Sequence, residues 1–135
     1  MESKKIFIIE DEEKIREELT KFLEKYGYFV ESSDDFENIV DISLSCNPNM
    51  ILLDINLPYY DGYYICREIR KKSQVPIIVV TSRQSEMDEL MSMNLGADDF
   101  VTKPYNTQIL LARIASIMKR TYSGIEGETE IFNCR

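Results

Sequence analysis

The chain has 135 residues, 44% hydrophobic and 30% charged, which suits one ordinary domain with a sizeable core and excludes wholesale disorder. Its net charge of −8 and isoelectric point near 4.6 disfavour direct binding to nucleic-acid backbones. It contains no histidine, which removes histidine triads, histidine metal ligands and histidine phosphodonors together.

The N-terminal stretch MESKKIFIIEDEE has no signal-peptide architecture, and no apolar run approaches the ~18 residues of a membrane span. Cys46, Cys66 and Cys134 are odd in number and lack CxxC spacing, which fits a reducing compartment. The expected location is cytoplasmic, with no membrane partner. Cys66 sits in an apolar helical pattern with Ile65 and Ile69 and reads as core filler.

The elements alternate in type along the chain. KIFII (5–9) reads as a strand. Residues 12–27 form an amphipathic helix with Ile15, Leu19, Phe22 and Leu23 on one face, stopping at Gly27. YFVES (28–32) is a weaker strand. Residues 34–46 have helical spacing, with Asp34 or Asp35 as cap and Asn47-Pro48-Asn49 as breaker. MILLD (50–54) is the third strand and residues 62–73 the third helix. A continuous apolar run at 75–82 is the fourth strand, followed by a helix at 86–96 that ends at Gly96. DFVTK (99–103) is a short strand, and residues 106–120 a long last helix with Leu110, Ile114, Ile117 and Met118 on one stripe.

Continuous apolar strands imply a sheet buried on both faces, hence a parallel one. Right-handed crossovers then give a doubly wound α/β sandwich whose ligands gather at the carboxyl ends of the strands. Residues 1–121 read as one domain. Residues 122–135, with Gly124 and Gly127, read as a linker and the start of a further, truncated domain.

The unusual residues fall at those strand ends. Strand one ends in Glu10-Asp11, strand three in Asp54, strand four in Thr81-Ser82, and strand five is followed by Lys103-Pro104. Each alone has a plain reading: Glu10-Asp11 as a favourable helix start, Asp54 as a cap, Thr81 as a strand terminus, Lys103 as a solvated lysine. Together they hold what phosphate chemistry requires. Three neighbouring carboxylates repel one another, and Mg²⁺ (or Mn²⁺) relieves that with oxygen ligands from Asp11, Asp54 and the Asn56 carbonyl, with Glu10 acting through water. Lys103 and Thr81 add an ammonium and a hydroxyl for phosphoryl oxygens, and Asp54 is placed to be the nucleophile.

The residues IED (9–11), LLDINLPYYDG (52–62), TS (81–82) and GADDFVTKP (96–104) resemble, in order and spacing, the receiver domain of response regulators, the CheY-like fold of two-component signalling, over residues 4–120. The resemblance implies a five-stranded parallel sheet in strand order 2-1-3-4-5 flanked by five helices. It implies Asp54 as phosphoacceptor and Glu10, Asp11, Asp54 and Asn56 at the metal. It also implies Thr81 as switch hydroxyl, Phe100 as switch aromatic, and Lys103 at the phosphate, followed by a proline joined through a cis bond. A non-enzymatic phosphoacceptor, a partner sensor histidine kinase and slow self-dephosphorylation follow from the same likeness.

The stretch 96–114 resembles the OmpR/PhoB-type subfamily, which implies a homodimer on phosphorylation and a C-terminal winged-helix domain that alone would bind DNA. Asp99 and Arg113 match one of its intersubunit ion pairs. Glu89 and Ile109 stand where another pair usually lies, so Leu90, Met93, Ile109 and Leu111 are expected to make an apolar dimer face. Tyr59, Tyr60, Tyr63 and Tyr64 read as half-exposed packing around the Asp54 loop, and Arg83 as a flanking residue that tunes the phosphoryl lifetime. Two rivals stand beside this reading. One is a stand-alone receiver that signals without DNA. The other is a haloacid-dehalogenase-type phosphatase, which wants a second acid where Asn56 stands.

Overall fold

A computed structural model describes residues 4–82 and 86–126; Arg83, Cys134 and the tail from 127 lie outside the described residues. The chain divides at the Pro104–Tyr105 junction. The first unit alternates β1 (Lys5–Ile9), α1 (Glu13–Lys25), β2 (Phe29–Ser32), α2 (Ile39–Ser45), β3 (Met50–Leu53), α3 (Gly62–Lys72), β4 (Ile77–Thr81), α4 (Glu86–Asn94) and β5 (Asp99–Thr102). The second unit holds α5 (Thr107–Glu126). The strands form one parallel sheet in the order β2-β1-β3-β4-β5, the expected topology.

The apolar runs in β1, β3 and β4 are continuous because both faces are covered. Successive strand residues point to opposite faces. Phe7, Ile9, Ile51, Leu53, Ile77 and Val79 share one cluster with Ile39 of α2 and Ile65, Cys66 and Ile69 of α3. Their alternates Ile6, Ile8, Met50, Leu52, Ile78 and Val80 face the other way and are equally buried. Burying one such side chain contributes roughly 1.5–3 kcal/mol, so these strands anchor the centre of the domain.

Helix α1 stops where its glycine predicts. Gly27 has φ 95°, its N–H donates to Glu24 O (3.0 Å), and Tyr28 N donates to Leu23 O (3.2 Å), a Schellman closure that β-carbon-bearing residues adopt with difficulty. Two helix boundaries differ from expectation. Helix α2 begins at Ile39, because the Asp35 carboxylate is spent on a turn of its own, accepting from Asn38 N (3.3 Å) and Asn38 Nδ2 (3.0 and 3.2 Å). Helix α5 continues to Glu126, through Gly124, since extending an established helix costs far less than starting one.

Two backbone bonds assemble the functional edge. Asp54 N donates to Ile9 O (3.0 Å), drawing Asp54 beside the end of β1, and Lys103 N donates to Thr81 O (2.7 Å), drawing Lys103 beside the end of β4. The loop after Asp54 closes through Gly62 N to Ile55 O (2.8 Å). A β-carbon on Gly62 would lie 2.4 Å from Ile55 Cα and 2.7 Å from Asp54 O, so a backbone, not a side chain, would have to move. Gly62→Ala is therefore predicted to lower stability by about 1–3 kcal/mol, read as a lower urea midpoint with unchanged m-value.

Candidate functional site

Glu10, Asp11 and Asp54 offer carboxylate oxygens that all lie within 4.8 Å of one another. Glu10 and Asp54 are only 4% and 6% exposed, whereas Asp11 faces solvent. Lys103 reaches both buried acids: its Nζ donates to Glu10 Oε1 at 2.7 Å and to Asp54 Oδ2 at 3.0 Å. The remaining oxygens are held by the chain itself. Asn56 N donates to Asp54 Oδ1 (3.0 Å) and Glu12 N to Glu10 Oε2 (3.1 Å). Lys103-Pro104 is cis, as the family resemblance implies.

These contacts alter the titration of both partners. Burial pushes the Glu10 carboxyl from its ordinary 4.5 up to about 7; the Lys103 hydrogen bond partly offsets this, and the Asp54 charge adds to it. Burial works against the Lys103 charge, yet the hydrogen bonds to Glu10 and Asp54 outweigh it and hold that pKa above the ordinary lysine value.

Thr81 is fully buried at the end of β4. Asn56, whose Nδ2 lies 3.5 Å from Ser82 Oγ, lines an open cleft of about 520 Å³ with Asp11, Ile55, Leu57, Pro58, Tyr59 and Asp61. Phe100 is half-buried against the α2–α3 side of the core. Among the expected dimer-face residues, Leu90 and Met93 are exposed on α4, while Asp99 on β5 accepts from Phe100 N (2.8 Å). On α5, Ile109 and Arg113 are exposed and Leu111 is half-buried. Tyr60 and Tyr64 stack with centroids 4.9 Å apart, and Arg67 lies over Tyr64 at 5.5 Å.

Sequence reasoning gave Glu10 to a metal and Lys103 to phosphate, and missed that the two pair directly. It also missed Arg16, whose Nη1 donates to the Glu10 carbonyl (2.9 Å). Its place one turn into α1, on the helix face turned toward the strand end, is the signal that was available.

The donor set suits a hard cation. It is all oxygen, and Asp11, its exposed member, has no hydrogen-bond or ion-pair partner among the described residues. A parallel sheet with acids, a buried hydroxyl and a lysine at one edge defines a receiver domain. The model of the response regulator receiver domain family matches residues 6–115, and the chain belongs to that family as a receiver domain of a two-component response regulator.

It is 48% identical over 118 residues to the transcriptional regulatory protein YxdJ of Bacillus subtilis, and 44% identical over 117 residues to the response regulator protein GraR of Staphylococcus haemolyticus. Each match covers 87% of this chain and 52% of the relative, so the chain spans about half the length of these relatives. A two-component response regulator structure from Clostridium difficile superposes with a TM-score of 0.84 at 30% identity, covering 89% of this chain and 99% of that one. Among the described residues no helix is long and apolar enough to cross a membrane.

A carboxyl whose pKa is raised by folding favours the folded state while protonated. The Glu10 contribution is therefore fully present below about pH 4.5 and is lost as pH rises through about 7. In metal-free protein, the wild type should lose up to about 3 kcal/mol relative to Glu10→Gln across that window. Parallel urea titrations of the two proteins at several pH values measure the difference.

Proposed function

We propose that Asp54 accepts a phosphoryl group from the phosphohistidine of a sensor kinase and that the charge so gained switches the domain. The observation that carries this reading is the Lys103 ammonium 3.0 Å from the Asp54 carboxylate, at the rim of an acidic, oxygen-only cluster. The chain has no histidine, so the donor is another molecule.

An Asp54 carboxylate oxygen attacks phosphorus in line. The new O–P bond forms as the P–N bond to the donor imidazole breaks, and the imidazole leaves with the electron pair and takes up a proton. Asp11, Asp54 and the Asn56 carbonyl would hold Mg²⁺ or Mn²⁺, which would supply positive charge against the phosphoryl oxygens. Lys103 neutralises another oxygen, and its bond to Glu10 holds the ammonium at the right depth before the donor arrives. The Asn56 N–H fixes the Asp54 rotamer by holding Oδ1 at 3.0 Å. The chain acts as phosphoacceptor, not as a turnover enzyme; Asn56 cannot protonate a leaving group, which counts against a phosphatase.

The added charge of about −1.5 to −2 draws the Thr81 hydroxyl toward the phosphoryl group, and Phe100 turns into the space it leaves. The result is a shift between two arrangements of α4 and β5. Homodimerisation follows through Leu90, Met93, Asp99, Ile109, Leu111 and Arg113. Transcriptional output passes to a C-terminal DNA-binding domain, consistent with relatives of which the matched stretch covers only 52%. A protein of this kind works in the cytoplasm.

Incubation with acetyl phosphate and Mg²⁺ should add the mass of one phosphoryl group in an acid-stable, base-labile linkage. Asp54→Asn should abolish the adduct, and Lys103→Ala should slow its formation by about tenfold or more. An adduct persisting in Asp54→Asn would remove Asp54 from the role. For the dimer, sedimentation of the phosphorylated protein should show Ile109→Glu weakening self-association; an unchanged dimer would place Ile109 outside the interface.

A further inference from the structure

Helix α4 is built inside out. At 100° per residue, Asp88 and Ser92 share one face and Met87, Leu90 and Met93 lie on the other. Met87, Leu90 and Met93 are 65%, 55% and 43% exposed, while Ser92 is the one buried side chain among the described side chains of this helix. Helix α3, by contrast, buries Ile65, Cys66 and Ile69. The inward face of α4 is therefore polar, and hydrophobic burial by its own side chains does little to hold it.

Polar contact with α3 takes over that task. The Tyr63 hydroxyl, from the first turn of α3, donates to Asp88 Oδ1 and lies 3.4 Å from the Asp88 carbonyl, whereas Ser92 Oγ donates to that same carbonyl within α4 itself (3.0 Å) and ties the helix only to itself. Tyr63 is well placed to be more than a local support. Its own N–H donates to Asp61 Oδ1 (2.8 Å), and it follows Gly62, whose N–H closes the loop that begins at Asp54. One end of that loop carries the Asp54 carboxylate and the other carries the hydroxyl that grips α4.

We infer that the Tyr63–Asp88 hydrogen bond is a latch that holds α4 in its unphosphorylated placement and must open for the switch to proceed. The switching half of this inference rests on the Asp54 reading above. A bond to a carboxylate between half-buried partners is stronger than a neutral one. A helix held by polar contacts with an exposed apolar outer face belongs to the low-stability end of a domain. By linkage, a contact made only in the unphosphorylated arrangement lowers affinity for whatever favours the other one, and by the same factor.

Amide hydrogen exchange and beryllofluoride binding, in Mg²⁺, test the two halves separately. Tyr63→Phe should speed exchange across residues 86–96 by about tenfold while leaving β1 and β3 unchanged. Asp88→Ala should do the same, the double variant should add little, and Asp88→Asn, which keeps an acceptor, should restore part of the protection. Beryllofluoride affinity, read by fluorescence or calorimetry, should rise about three- to tenfold in Tyr63→Phe.

Unchanged exchange in α4, or exchange that rises equally in β1 and β3, overturns the latch. A loosened α4 with unchanged beryllofluoride affinity shows a contact kept in both arrangements and overturns the switching role. Failure of the wild-type protein to bind beryllofluoride would strike the Asp54 reading instead, and with it the switching half, while the exchange data would still decide whether the bond holds α4.

Discussion

One ammonium group set between two buried carboxylates organises this molecule's functional edge. Glu10 and Asp54 are almost wholly out of water, and each such ion costs several kcal/mol to bury without a partner. Lys103 meets both, from a loop that follows the far strand of the sheet. That contact requires β1, β3 and β5 to end at the same edge, which only parallel strands joined by crossover helices achieve. It also fixes register. A one-residue slip of β5 would turn its residues to the opposite faces and draw Lys103 away from the Glu10–Asp54 edge.

Continuous apolar burial in the central strands explains why so much of the fold was legible. Runs such as Met50–Leu53 and Ile77–Val80 admit few readings besides doubly buried strands, and polar residues at the ends of such runs mark a ligand edge. Glu10, Asp11, Asp54, Thr81 and Lys103 were readable as a set because each breaks an apolar pattern at the same relative place. Helix starts were less readable. Asp35 has cap chemistry, and the sequence does not say whether its carboxylate will serve a helix or the turn before it. The continuation of α5 beyond Arg120 was hidden by Gly124, whose local preference is overridden by the helix preceding it.

Pairings across long sequence separations were not legible at all. Glu10 and Lys103 are 93 positions apart, and both residue types have several uses at such an edge. The Tyr63–Asp88 bond joins two helices whose facing sides are set by how α3 and α4 rotate, a result of packing and not of local pattern. Tyr63 in a run of four tyrosines offered no sign that it, rather than Tyr60 or Tyr64, turns inward. Those two stack on each other near the surface, so the run splits into a polar tether and an exposed aromatic pair.

The charge at the edge limits what can enter it. Three carboxylates cluster within 4.8 Å of one another and two of them share one ammonium, on a chain that is itself strongly acidic. An anion approaching that edge meets net repulsion unless positive charge enters first or a carboxylate takes a proton. Glu10, pushed up to about 7, is the acid placed to take the proton, and exposed Asp11 is the one placed to meet a cation. Protonating Glu10 leaves Lys103 shared less tightly and thus freer to turn toward Asp54. Deprotonating it anchors the lysine but deepens the negative charge of the edge. The pairing of Glu10 with Lys103 therefore couples the charge on that acid to the ammonium that Asp54 shares.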